Sequence, residues 1–211
     1  MRSMLRQRRF GRVNRLNRAG DAVIVEGMRV TFIRFADHVR AYVRIERDDG
    51  VVYRMDAGPA GPETPHDLVH YTVEDALGLA DGIWGAIAGG VVFRSMHHES
   101  GRRPPHAGER SADMIREHRD RLQRAELIGG LCERAAAVPE AQLPRFHAVE
   151  PFMPVTIEQL RSAVAALHRA QSAWSALDVG GELTLDWPGH RRLETPARRQ
   201  PRERTGTRRG R

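Results

Sequence analysis

The chain has 211 residues, 40% of them hydrophobic, and a formal net charge of +7, which is enough for one domain with its own core. It contains no run of about 18 apolar residues, and charged residues interrupt the apolar stretch that a secretory signal would need after the first arginines. Cys132 is the single cysteine, so an internal disulfide and a multi-cysteine zinc site are both excluded. These features predict a cytoplasmic protein without a membrane partner.

The positive charge is concentrated at the two ends of the chain, and all 34 basic residues are arginine. Residues 1–18 contain seven arginines and no acidic residue, and residues 190–211 contain nine arginines and two glutamates. The whole chain carries +7, so residues 19–189 carry a net charge of −7. Residues 189–211 have almost no apolar side chains, which predicts a disordered Arg-rich tail.

The arginine-rich ends allow two interpretations. They either solubilise the protein or make weak, non-specific contacts with nucleic acid or an acidic protein partner. Residues 1–27 form a basic N-terminal extension. A translation start at Met28 would leave them outside the protein, whereas the apolar residues of "DAVIVEG" favour a translated segment.

Three β-strands are predicted from Met28 onwards. The segments "MRVTFIRF", "RAYVRIER" and "VVYRM" are rich in β-branched and aromatic residues, and the turn at residues 48–50 joins the second strand to the third. The three strands therefore form an antiparallel meander. A loop rich in glycine and proline follows it.

Helices are predicted for most of the remaining chain. The first covers about residues 65–79, and the apolar segment "GIWGAIAGGVVF" is predicted to be a buried helix. After the loop "ESGRRPPHAGER", a charged helix covers residues 112–136 and is weakened at Gly129 and Gly130. The segment "AVPEAQLPRFHAVEPFMP" is predicted to be irregular. The last helix begins at Thr156 with a capping box to Gln159 and ends at the glycine pair before the final strand.

The alternating segment "ELTLDW" predicts a closing strand that joins the meander. The elements together predict an α+β fold in one domain over residues 28–188, in which helices cover one face of a small antiparallel sheet. This order of segments, with "PHDLVHYTVE" opening the first helix, resembles a bacterial protein family of unknown function. The resemblance covers about residues 28–188 and implies no catalytic role.

The first helix opens with the stretch "TPHDLVHYTVED". Thr64 is predicted to be its N-cap and Pro65 its first helical residue. Asp67 would then stand at the third helical position, where a carboxylate stabilises a helix N-terminus without any catalytic role.

The spacing of His66 and His70 predicts a site for zinc or another divalent metal. "HDLVH" has the outward spacing of the HExxH zinc helix, in which two imidazoles converge on one metal and the glutamate activates a water. Asp67 takes the place of that glutamate, so it is the candidate catalytic base of a metal-dependent hydrolase. Its side chain is one methylene shorter, which weakens the match.

A third metal ligand is expected from outside this helix. Glu74 continues the histidine stripe, but the three residues spread over about 12 Å of a straight helix, too far for bonds of about 2 Å to one zinc. The candidates follow the buried helix: His97, His98, Glu99 and His106. In the alternative interpretation both histidines are half-buried edge residues, Glu74 pairs with His70, and the protein is a non-enzymatic interaction module acting through its arginine-rich ends.

Overall fold

A computed structural model of the chain describes residues 27–35, 40–59 and 63–194. Its five strands form one antiparallel sheet in the order β4-β3-β2-β1-β5, and helices pack on it, so the predicted α+β fold is confirmed. The strands are β1 (Gly27–Ile33), β2 (Arg40–Glu46), β3 (Val52–Pro59), β4 (Met96–Ser100) and β5 (Glu182–Pro188). Most of the arginine-rich ends lies outside the described residues, so their disorder and their contacts with nucleic acid or an acidic partner stay predictions.

The sheet contains the predicted meander and one strand that was not predicted. β5 pairs antiparallel with β1, with Leu185 opposite Val30, so the closing strand joins the sheet as predicted. β4 pairs with β3 at the opposite edge and places His97 opposite Arg54. Only Met96 of β4 is buried, and the next four residues are exposed. A strand with one inward side chain lacks the alternation by which strands are recognised.

The helices are α1 (His66–Leu77), α2 (Ile83–Ala88), α3 (Ala107–Glu117), α4 (Arg119–Ala136), α5 (Leu143–Val149) and α6 (Ile157–Ser175), with a 3₁₀ turn at Glu140–Gln142. None of the helices in the described ranges is long and apolar enough to cross a membrane. The capping box between Thr156 and Gln159 is present, with both of its hydrogen bonds.

The helix predictions were wrong in four details. The helix predicted over 112–136 is two helices, because the backbone of His118 (φ −103°, ψ 17°) leaves the helical region. α3 begins within a predicted loop, and α5 lies in the segment predicted to be irregular. Pro144 falls in the first turn of α5, where its missing N–H costs no helical hydrogen bond. α6 ends at Ser175, before the glycine pair.

Helix α1 is shared between two parts of the core. On one side, Tyr71 packs edge-on against Phe32 of β1 and Trp84 of α2, with ring centroids 6.2 and 5.3 Å away. On its other side, Val69 and Val73 belong to an apolar cluster with α4 and α6. Trp84 is buried, which agrees with the predicted burial of the segment that contains it. α1 is therefore held firmly between the sheet and the other helices.

The packed part of the chain continues beyond residue 188, the predicted end of the domain. Leu193 is buried with Ala86, Val91 and Met114, and its backbone N–H donates to the carbonyl of Gly85 at 2.8 Å. The segment after β5 thus closes over α2 and belongs to the same folded unit.

Candidate metal centre

The first turn of α1 begins without a side-chain cap and is held by a hydrogen bond from α2. α1 begins at His66, and Pro65 is its N-cap in an extended conformation (φ −59°, ψ 139°) without a side-chain capping bond. The prediction that Thr64 caps this helix was therefore wrong, and Asp67 stands at the second helical position. The indole Nε1–H of Trp84 donates to the carbonyl of Asp67 at 3.2 Å, which ties this turn to α2.

Two imidazoles and one carboxylate meet between α1 and α4. The Nε2 atoms of His66 and His70 lie 3.2 Å apart. Glu126 of α4 places Oε1 3.4 Å from Nε2 of His66 and Oε2 3.3 Å from Nε2 of His70. Within the part of the chain that the structure describes, this is the one group of three potential metal ligands whose donor atoms converge. We call His66, His70 and Glu126 the triad.

The three separations in the triad suit a metal ion. Bonds of about 2.0–2.1 Å place two ligands of a tetrahedral ion about 3.3–3.4 Å apart. A good N–H···O hydrogen bond is shorter, about 2.9 Å between the heavy atoms. The two Nε2 atoms lie 3.2 Å apart, and each lies 3.3–3.4 Å from a different oxygen of Glu126, which is nearer to the spacing of coordinated ligands.

His70 forms the buried side of the triad. Its side chain is 2% exposed, whereas those of His66 and Glu126 are 55% and 50% exposed. Burial lowers the pKa of His70, and the nearby Glu126 carboxylate opposes this shift only in part. A lowered pKa favours the neutral imidazole, which is the form that binds metal.

Gly129 makes the room for His70 against α4. A Cβ atom at Gly129 would lie 2.4 Å from Cε1 and 2.7 Å from Nδ1 of the His70 ring, closer than side chains pack. A Cβ at the adjacent Gly130 would meet open space. Glu126 and Gly129 are three residues apart, so they share one face of α4. That face supplies both the carboxylate and the space for the ring.

One atom of His70 is left without a partner. Nδ1 is buried and has no hydrogen bond to any residue that the structure describes. Coordination through Nε2 puts the proton of the neutral ring on Nδ1, where metal-binding histidines ordinarily donate to a carboxylate or carbonyl. At metal sites in general, loss of such an acceptor lowers the metal affinity by about 10–100-fold.

Glu74 anchors α2 and is not part of the triad. Its two carboxylate oxygens accept from the backbone N–H groups of Ile83 and Trp84, each at 2.9 Å. A Cβ at Gly82 would lie 2.3 Å from the Glu74 carboxyl carbon, so the glycine allows this close approach. Burial raises the pKa of Glu74 to about 8, and the N–H donors at the start of α2 oppose the shift. The alternative in which Glu74 pairs with His70 is therefore not the arrangement found.

Replacing Glu74 with glutamine should reveal its raised pKa as a pH-dependent stability. An ordinary glutamate pKa of 4.5 rises to about 8 on folding, so the folded state holds the proton more tightly. The contribution of Glu74 is fully present below pH 4.5 and is lost as the pH rises towards 8, by up to about 1.4 kcal/mol per pH unit. The glutamine side chain does not titrate, but its amide leaves one backbone N–H unpaired, at a cost of about 1–3 kcal/mol.

Denaturant unfolding of both proteins at several pH values between 5 and 8 measures this difference. We expect Glu74→Gln to be less stable than the parent at pH 5, and we expect the difference to shrink and then reverse as the pH rises towards 8. Glu133→Gln, an exposed change on α4, is the control and should keep a constant difference from the parent. A constant difference for Glu74→Gln as well would show that Glu74 does not titrate in this range.

Asp67 lies beside the triad and does not belong to the converging group. Its carboxyl group is half-buried, and burial raises its pKa to about 6, opposed first by His66. The charge of Glu126 raises this pKa further, and the charge of Arg40 lowers it. Its role as a catalytic base stays a prediction.

The other predicted ligands lie elsewhere in the structure. The segment with His97 and His98 forms β4 at the sheet edge instead of folding over α1. His98 contacts the Gly101 carbonyl through Nε2 at 2.9 Å. Glu99 lies 3.8 Å from a guanidinium of β2, and His106 lies 3.3 Å from Glu109. None of these candidates joins the triad.

Glu126, the third member of the triad, was not predicted from the sequence. It lies on α4, far from α1 along the chain. One signal was present in the sequence: Gly129 and Gly130 lower the helix propensity of an otherwise good helix-forming segment. A glycine inside a helix often marks a place where another group packs close to the backbone. Comparisons with protein-family models, with curated proteins and with solved structures found no match to this chain.

Proposed function

We propose that this protein binds a divalent transition-metal ion through the Nε2 atoms of His66 and His70 and the carboxylate of Glu126. The observation that carries the proposal is the convergence of two imidazoles and one carboxylate from two helices. Their Nε2 atoms lie 3.2 Å apart, and each lies 3.3–3.4 Å from a different oxygen of Glu126. The depressed pKa of the buried histidine supports it, because the neutral ring is available near pH 7.

The donor set narrows the choice of ion. Calcium and magnesium prefer oxygen ligands, whereas two imidazoles with one carboxylate suit zinc and iron(II). Soft ions that need several thiolates are disfavoured, because Cys132 is the single cysteine of the chain and is buried in the apolar cluster of α1, α4 and α6. Zinc is therefore the first ion to test, followed by iron(II).

The competing account is a hydrogen-bonded cluster without an ion. A proton on one imidazole would then be shared with Glu126, and each separation would be a long hydrogen bond. The two accounts differ in the stoichiometry of metal binding. A metal site binds one ion per chain, whereas a hydrogen-bonded cluster shows no saturable metal binding.

Replacing Glu126 with glutamine tests the proposed site. The tag-free protein is stripped with a chelator, and Zn(II) is titrated in competition with a chromophoric chelator. We expect one ion per chain for the parent and at least about 10-fold weaker binding for Glu126→Gln, which loses the anionic ligand. Glu133→Gln removes the same charge from the same helix and should bind like the parent. Equal affinity of both variants, or no saturable binding by the parent, would overturn the proposal.

A further inference from the structure

The triad is enclosed on one side and open on the other. His70 is almost fully buried behind it, while about half of each of the His66 and Glu126 side chains faces solvent. An ion held by the triad would therefore have protein on its His70 side and water on the side of His66 and Glu126.

The described residues supply three ligand residues and no fourth. The group of converging donors contains neither Asp67 nor Cys132. Structural zinc sites are closed by four protein ligands, whereas sites that act on substrates keep three and leave one position to water. Two histidines with one glutamate form one of the zinc sets of the second kind, and two histidines with one carboxylate also hold iron(II) with open positions.

The charge of such a centre favours a small anion. A divalent ion with two neutral imidazoles and one carboxylate retains one positive charge. A monoanion that replaces the water would neutralise it, and the solvent-facing side gives that ligand access.

We infer that the bound metal keeps a solvent-facing coordination position, which holds water at rest and exchanges it for the carboxylate oxygen of a small monoanionic ligand. This inference rests on the proposed metal site and extends it from a site that holds an ion to one that presents the ion to a ligand. The exchange breaks one metal–water bond and forms one metal–oxygen bond, with no change in oxidation state.

Cobalt(II) substitution of the full chain tests the inference, because the visible absorption of cobalt(II) reports its coordination. Acetate is titrated into the cobalt protein at constant ionic strength in sodium perchlorate, which supplies a poorly coordinating anion. We expect a saturable shift of the cobalt bands with acetate, while the cobalt content after buffer exchange stays at one ion per chain. His70→Ala, mixed with cobalt(II), should show only the response of the free ion.

Two failures are distinguishable. A parent protein that does not take up cobalt(II) or zinc(II) overturns both the proposed metal site and this inference. A protein that holds one cobalt(II) ion whose bands do not change at saturating acetate overturns only the inference, because the ion is then closed to ligands.

Discussion

Replacing His70 with alanine is expected to abolish stoichiometric metal binding and the stabilisation that the ion provides. His70 is the proposed ligand that lies in the core, and without it only His66 and Glu126, both half-exposed, remain. A ligand present at 100 times its Kd stabilises the native state by about 2.7 kcal/mol. For a chain of this size that corresponds to a Tm shift of about 5–10 °C. The parent should show this shift between zinc and chelator, and His70→Ala should show none.

The metal-dependent shift is the quantity to compare, because removing a buried ring also destabilises the metal-free protein through the cavity that it leaves. His97→Ala is the matched control: the same substitution at an exposed histidine on β4. It should retain the full shift. If His70→Ala also retained it, the ion would have to bind elsewhere in the chain.

Replacing Gly129 with alanine is expected to destabilise the protein and to remove the metal, although alanine is the better helix former. The new methyl group would lie 2.4 Å from the His70 ring, and the ring cannot stay in place. At Gly130 a methyl group meets nothing within 4 Å, so Gly130→Ala should gain about 0.5–1 kcal/mol from helix propensity. Overpacking at position 129 should cost about 1–3 kcal/mol.

The two glycine variants form a pair that differs only in which side of α4 carries the methyl group. Denaturant unfolding with chelator gives the change in stability of each, and zinc titration gives the change in affinity. Opposite signs in stability, together with loss of zinc by Gly129→Ala alone, are the expected result. A Gly129→Ala variant that is as stable as Gly130→Ala and binds zinc normally would mean that His70 does not pack against α4 in this way.

Much of the architecture could be predicted because its signals are local. The alternation of side chains predicted the strands of the meander and β5, and the antiparallel pairing of β5 with β1 confirmed where the last strand belongs. The capping box at Thr156 was readable from two residues three positions apart. β4 was missed because its pairing with β3, rather than its own pattern, makes it a strand.

Two of the three triad residues could be predicted for the same reason. His66 and His70 are one helical turn apart, so their convergence follows from the geometry of α1 alone. The contribution of Glu126 depends on how α4 packs against α1, which no spacing in the sequence encodes. Asp67 and Glu74 are the opposite case: the sequence pattern suggested a role in the site for each, but neither belongs to the triad. Glu74 proved to be an anchor for the start of α2.

The pairing of β1 with β5 joins the beginning of the described chain to its end. During synthesis the first strand must therefore wait for almost the whole domain before its second neighbour emerges, and such distant contacts slow folding. Trp187 of β5 also packs edge-on against Tyr71 of α1, with ring centroids 5.4 Å apart. The helix that carries both histidines thus gains its full support only when the last strand is in place. A growing chain should accordingly hold α1 less firmly until β5 has been synthesised and has paired with β1.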